Sequence, residues 1–143
     1  MQAPTQPVWG DDCALGFSPM DHTHQEFLEC VASLEQADDA QLWDSFVTLK
    51  SHLQAHFAQE DGWMRETGFP AADCHIDEHA AVMRSVHQVE ALLQRGDHAV
   101  CRRLGRELAA WFPGHASYLD SALSHWMCIR QYGGTPVVLR RRQ

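Results

Sequence analysis

The stretch LKSHLQAHFAQEDGWMRETGFPAADCHIDEHAAVM, residues 49–83, decides how the chain folds. Leu49, Leu53, Phe57 and Met64 return at helical spacing until Gly68-Phe69-Pro70 stops the pattern, and Ile76, Val82 and Met83 then open a second helical period. His56 and Glu60 are four apart on the first helix, and His75 and His79 are four apart on the second. Four residues along a helix leave two side chains about 40° apart on one face, so each pair can grip one metal centre. Leu53 and Phe57 flank the first pair, and Ile76, Val82 and Met83 flank the second, which turns both toward the interior. A buried imidazole or carboxylate without a partner costs on the order of several kcal/mol, so inward polar groups need something to join them. A metal ion does that.

Working outward, Ser18 and Pro19 read as the cap and first residue of an earlier helix, in which Phe27, Leu28, Val31 and Leu34 keep the period as far as Ala37. Asp38 and Asp39 are expected to cap the second helix, whose apolar face starts with Leu42 and Phe46. The third helix is expected over about residues 71–95, with Val86, Val89 and Leu93 inward, and Gly96-Asp97 ends it and starts a fourth that runs to about residue 132. No alternating strand pattern appears. Short connections between four long helices imply an all-α, antiparallel up-down four-helix bundle over about residues 19–132. Residues 1–18, with Trp9 and Phe17, form an N-terminal arm, and residues 133–143, ending in Arg140, Arg141 and Arg142, form a short C-terminal tail. The 143 residues suit a single domain.

With 11 basic against 19 acidic residues the formal charge is −8, which argues against nucleic acid or an anionic membrane as partner. No run is long and apolar enough for a membrane span, and the first ten residues hold two prolines and no basic segment of the kind that opens a secretory leader. Five widely spread cysteines with no C-x-x-C pair indicate neither a disulfide framework nor a thiolate zinc site, and fit reduced thiols in the cytoplasm. Cys30, Cys74, Cys101 and Cys128 are expected to pack as small hydrophobes. Ten histidines are the compositional oddity, because imidazole is the commonest metal ligand.

The outer helices offer donors of the same kind: His24 on the first, and His115 and Asp120 on the fourth. His115 and Asp120 are five apart, and in a regular helix that spacing parts two side chains by about 140°. The helix must therefore be distorted, and a kink at Pro113 is the expected means. His52 is four before His56 and makes a rival pair with it, whereas His22, His87, His98 and His125 read as surface or locally satisfied residues.

One His, then H-x-x-x-E, then H-x-x-x-H, then H-x-x-x-x-D, on four helices in this order, resembles the hemerythrin family over about residues 9–126. Met20-Asp21-His22-Thr23-His24 resembles the family's apolar-Asp-x-x-His opening, which favours His24 over His22, and the match at Glu60 favours His56 over His52. The resemblance implies a non-haem pair of irons, Fe2+ or Fe3+, joined by an oxo or hydroxo bridge. It puts His75, His79 and His115 on one iron, His24 and His56 on the other, and Glu60 and Asp120 across both. It further implies an open position for dioxygen, in a pocket lined by Phe27, Phe57, Trp111 and Phe112, the last standing where the family usually has an aliphatic residue.

The activity expected from this likeness is reversible oxygen binding by a monomer, for storage, transport or delivery to an oxygen-using enzyme or redox partner. Five imidazoles and two carboxylates differ from the Glu-x-x-His pairs of di-iron oxidases, and no acid or base beyond the ligands commits the site to turnover. Oxygen or redox sensing, and a di-iron enzyme reducing peroxide or nitric oxide, are the alternatives. Ligand type narrows the choice of metal to ions such as iron or manganese.

Overall fold

A computed structural model describes residues 14–134, and among them there is no strand. The elements are α1 (Ser18–Gln36), α2 (Leu42–Thr67), α3 (Ala72–Gln94), α4 (His98–His115), a π-helical turn (Ala116–Asp120) and α5 (Ser121–Tyr132). α4, the π turn and α5 follow one another without a break and make the fourth rod. α1 packs on α2 and α4, and α3 packs on the same two, which closes a four-membered ring of consecutive, antiparallel neighbours. The expected four-helix bundle is the fold.

Two helix starts differ from expectation. Ser18 is already helical and Phe17 takes the cap position without a side-chain bond; Asp21 in the first turn instead accepts from the backbone N–H of Leu15 (2.7 Å) and Gly16 (3.0 Å), which ties the incoming chain to the helix start. A carboxylate in the first turn also suits the positive end of the helix. At the second start Asp38 accepts from the Gln41 N–H at 2.9 Å, but a turn intervenes and the helix begins only at Leu42. Asp39 is drawn away to Arg102 of α4, at 2.8 Å. The other boundaries follow the punctuation in the sequence: Gly68, in the left-handed region at φ 67°, closes α2 onto the Met64 carbonyl, and Asp97 caps α4 by accepting from the Val100 N–H.

Apolar side chains fill the bundle in two groups. Phe27, Val31, Leu34, Leu42, Phe46, Leu49, Leu53, Val86, Leu104 and Leu108 form the larger one. Phe17, Met20, Met64, Phe69, Leu123 and Met127 form the smaller one, at the end where residues 15–17 tuck in. Phe17, in the expected arm, is fully buried and meets Trp63 edge-on at 5.3 Å. Residues 1–13 and the tail from 135 on lie outside the described residues. Of the cysteines expected to pack inside, Cys101 and Cys128 are buried and Cys30 partly so, but Cys74 is exposed because its position on α3 faces away from both groups.

Candidate metal centre

On every rod the two apolar groups are separated by a polar interval. His24 lies between Met20 and Phe27, His56 and Glu60 between Leu53 and Met64, His75 and His79 ahead of Val86, and His115 and Asp120 between Phe112 and Leu123. All seven are buried, none exposed by more than 4%. The rods therefore bring together every residue the sequence singled out as a metal donor. The two rivals stay outside: His22 is exposed, and His52 turns to Glu26 at 3.3 Å.

The five imidazoles all present Nε2 to the two carboxylates. Glu60 Oε2 is 2.6 Å from His56 and 3.6 Å from His24, while its Oε1 is 3.4 Å from both His75 and His79. Asp120 repeats this division, with Oδ2 at 3.0 Å from His24 and Oδ1 at 2.9 Å from His75 and 3.1 Å from His115. Each carboxylate thus turns one oxygen toward His24 and the other toward the three-histidine side. Glu60, His75, His79, His115 and Asp120 form one set of donors close enough to share an ion, and His24, His56 and Glu60 form a second.

His115 and Asp120 reach this centre by a different route from the one expected. The helix continues through Pro113, and the irregularity falls three residues later, in the π turn, where the Ser121 N–H bonds the Ala116 carbonyl five residues back. One surplus residue in that turn brings side chains five apart onto one face, which a regular helix does not.

Whether these groups suit a metal is tested by their hydrogen bonds. His24 Nε2, His75 Nε2, Glu60 Oε1 and both Asp120 oxygens have no hydrogen-bond partner among the described residues, although each lies close to an opposite group. They converge on common points without aligning on one another, as donors to a cation do. His79 Nε2 and His115 Nε2 face each other at 3.3 Å. Each ring has already committed its Nδ1 to a carboxylate, His79 to Asp61 at 2.7 Å and His115 to Glu78 at 2.9 Å. A carboxylate only accepts, so both Nδ1 carry the proton, and with both rings neutral two lone pairs meet at Nε2, an arrangement that a cation between them would relieve. The donor set fits a metal ion of the kind imidazole and carboxylate hold.

Electrostatics agree. Burial pulls the imidazoles of His24 and His75 down, but Asp120 and Glu60 beside them outweigh it and raise each from 6.5 to about 9. Burial pushes the Glu60 carboxyl up, yet the facing histidines hold it well below the usual carboxylate range. Asp120, pushed up by burial and by the charge of Glu60, is held low by His115, His24 and His75. Without metal, protonated His24 and His75 face two ionised carboxylates.

Aromatic rings line the site on one side. Phe112 packs against His24 at 5.0 Å and Phe27 at 5.2 Å; Phe57 stacks on His79 at 4.1 Å; Trp111 lies 4.3 Å from the His115 ring. Two residues of the site were not foreseen. Asp61 follows Glu60 and Glu78 precedes His79, and both look like solvated charges in the sequence. Glu78 also accepts from Trp111 Nε1 at 2.9 Å; burial raises its carboxyl, but the bonds from His115 and Trp111 prevail and hold it low. Their only mark in the sequence is a place beside a donor on the same helix.

A helical bundle with an interior cage of imidazole and carboxylate donors is the class that fold and site define. The family model described as Hemerythrin HHE cation binding domain matches residues 15–124, and the chain belongs to that family. It is 34% identical over 125 residues to a bacteriohemerythrin of Ralstonia nicotianae, covering 85% of this chain and 89% of that protein. A bacteriohemerythrin of Stenotrophomonas maltophilia is 25% identical over 130 residues, 82% of each chain. A myohemerythrin of Riftia pachyptila is 25% identical over 121 residues, 83% of this chain and 92% of its own.

Proposed function

We propose that the chain binds dioxygen reversibly at a pair of iron ions held by His24, His56, Glu60, His75, His79, His115 and Asp120, as a store or carrier that supplies an oxygen-using partner. One observation carries this: two fully buried carboxylates each divide their oxygens between two groups of histidines. A single ion needs no such division, whereas two adjacent ions need a bridging ligand between them. Three histidines, His75, His79 and His115, would hold one ion and two, His24 and His56, the other, so the second would have one protein donor fewer and could take a diatomic ligand. Two ferrous ions held there would supply the two electrons that dioxygen binding takes up and its release returns. The names of the relatives, bacteriohemerythrin and myohemerythrin, favour the same reading.

The chain's own residues supply the surroundings. Phe27 and Phe112 pack over the His24 side, and Phe57 and Trp111 over His79 and His115, so the aromatic side of the cage excludes water. Water exclusion slows loss of electrons from the metals to solvent and keeps binding reversible. Among the described residues no helix is long and apolar enough to cross a membrane.

The test is anaerobic reconstitution with ferrous iron, a count of iron per chain, and admission of air. Two irons are expected, with a visible absorption band that appears with air and fades when oxygen is removed. Prompt irreversible oxidation would remove carriage and favour sensing or reduction of peroxide or nitric oxide. Glu60→Ala, His79→Ala and Asp120→Ala should each lower the iron count, and an unchanged count at any of them would overturn the assignment there.

A further inference from the structure

The two sides of the cage are not supported alike. Asp61 of α2 receives the Nδ1–H of His79 on α3 at 2.7 Å, and Glu78 of α3 receives that of His115 on α4 at 2.9 Å. Each carboxylate crosses from its own helix to a donor on the next. Glu78 Oε1 also receives the Trp111 indole N–H at 2.9 Å, and that ring lies 4.3 Å from the His115 ring, so His115 is held from two directions. His75, the third histidine on the side of His79 and His115, has no such support: its Nδ1 is buried with no hydrogen-bond partner among the described residues, and the same is true of both histidines on the other side, at His24 Nδ1 and His56 Nδ1.

We infer that Asp61 and Glu78 are positioning residues that make the two metal positions unequal, strengthening the donors on the three-histidine side alone. This rests on the reading above that metal ions occupy the cage. An imidazole that donates Nδ1–H to a carboxylate is fixed with its lone pair at Nε2, here the atom aimed at the centre, and becomes a more basic ligand. More basic donors favour the higher charge on the ion they hold. The ion beside His79 and His115 is therefore the harder of the two to reduce, and the ion beside His24 and His56 the easier. Neither carboxylate belongs to an apolar group: the Glu78 side chain is 37% exposed and that of Asp61 18%. They can be changed without emptying a core.

The experiment compares the wild-type protein with Asp61→Asn, Glu78→Gln and Glu78→Ala, and with Glu107→Gln as a control that removes one charge from α4 without touching a donor. Long-range proton–nitrogen spectra of the metal-free and zinc-loaded wild type report which ring nitrogen carries the proton. His79 and His115 should both carry it at Nδ1 in each form; a proton on Nε2 with a bare Nδ1 in either ring would overturn the inference, whatever the variants do. In Glu78→Gln the His115 ring signals should shift while those of His24 and His56 stay put. Glu78→Ala should weaken zinc affinity about 10- to 100-fold. In the iron-loaded protein the reduction potential should rise in Asp61→Asn and Glu78→Gln and stay at the wild-type value in Glu107→Gln. Equal potentials in all four proteins, or an equal rise in the control, would overturn it. Should the wild type take up fewer than two irons, the di-iron reading fails, and the spectra of the metal-free and zinc-loaded protein still decide the roles of Asp61 and Glu78.

Discussion

Metal entry should expel protons from this cage, and the number can be worked from the site. His24 and His75 are raised to about 9 by the ionised Asp120 and Glu60, which outweigh burial. At pH 7.5 a group of that pKa is about 97% protonated, so the pair holds about two protons that a metal must displace. Both carboxylates are held low and have none to release. Asp120→Asn removes the negative charge that lies 3.0 Å from His24 and 2.9 Å from His75, and lets burial pull both imidazoles back down. Calorimetric titration with Zn2+ in two buffers of different ionisation enthalpy counts the protons. Wild type should release about two from this pair and Asp120→Asn at least one fewer. Release of fewer than one proton by the wild type, or equal release by the two proteins, would refute the reasoning.

Stability of the metal-free protein should depend on the same pair. Their folded pKa of about 9 lies above the unfolded 6.5, so the stabilisation is complete below about pH 6.5 and lost as pH rises through 9. The melting temperature of the metal-free protein should fall across that window and that of the zinc-loaded protein much less, and two parallel profiles would contradict this. Phe112→Ala removes a buried ring wedged between His24 and Phe27 and should cost about 3–5 kcal/mol in denaturant unfolding, a loss below 1 kcal/mol counting against the packing described. Phe112→Leu keeps most of the core but opens space beside His24; the iron-loaded protein should lose its air-induced colour faster, and an unchanged rate would deny Phe112 a part in excluding water. Exposed Cys74 should react with a thiol reagent in the folded protein, whereas Cys101, buried and with its thiol pushed up to about 11, should react only after unfolding; mass spectrometry of labelled peptides separates the two.

The bundle was legible because apolar residues at helical spacing and Gly-Pro punctuation depend only on local sequence. Of the seven candidate donors, the pairs on α2 and α3 were legible for the same reason, in register with the apolar face of their helices, whereas His24, His115 and Asp120 were picked out by the resemblance to the hemerythrin motifs. Cap identity was not, since Ser18, Asp38 and Asp39 are all competent caps: Arg102 across the bundle claimed Asp39, and Ser18 was taken into the helix itself, leaving Phe17 at the cap position. Asp61 and Glu78 were missed because helical period places them at the edge of the polar face, and only the neighbouring helix turns them into partners of His79 and His115. The five-residue spacing of His115 and Asp120 announced a distortion, but proline drew it to residue 113, while the surplus residue went into the turn that follows.

That surplus residue sets a condition on anyone who would copy this cage onto an artificial scaffold. Straight rods offer no position equivalent to residues 117–119 together, so a transplant that keeps all of them on an unbroken helix would swing the aspartate away from its partners. Deleting one of the three is the adjustment such a graft requires, and the finished graft would then carry the aspartate four places after the histidine.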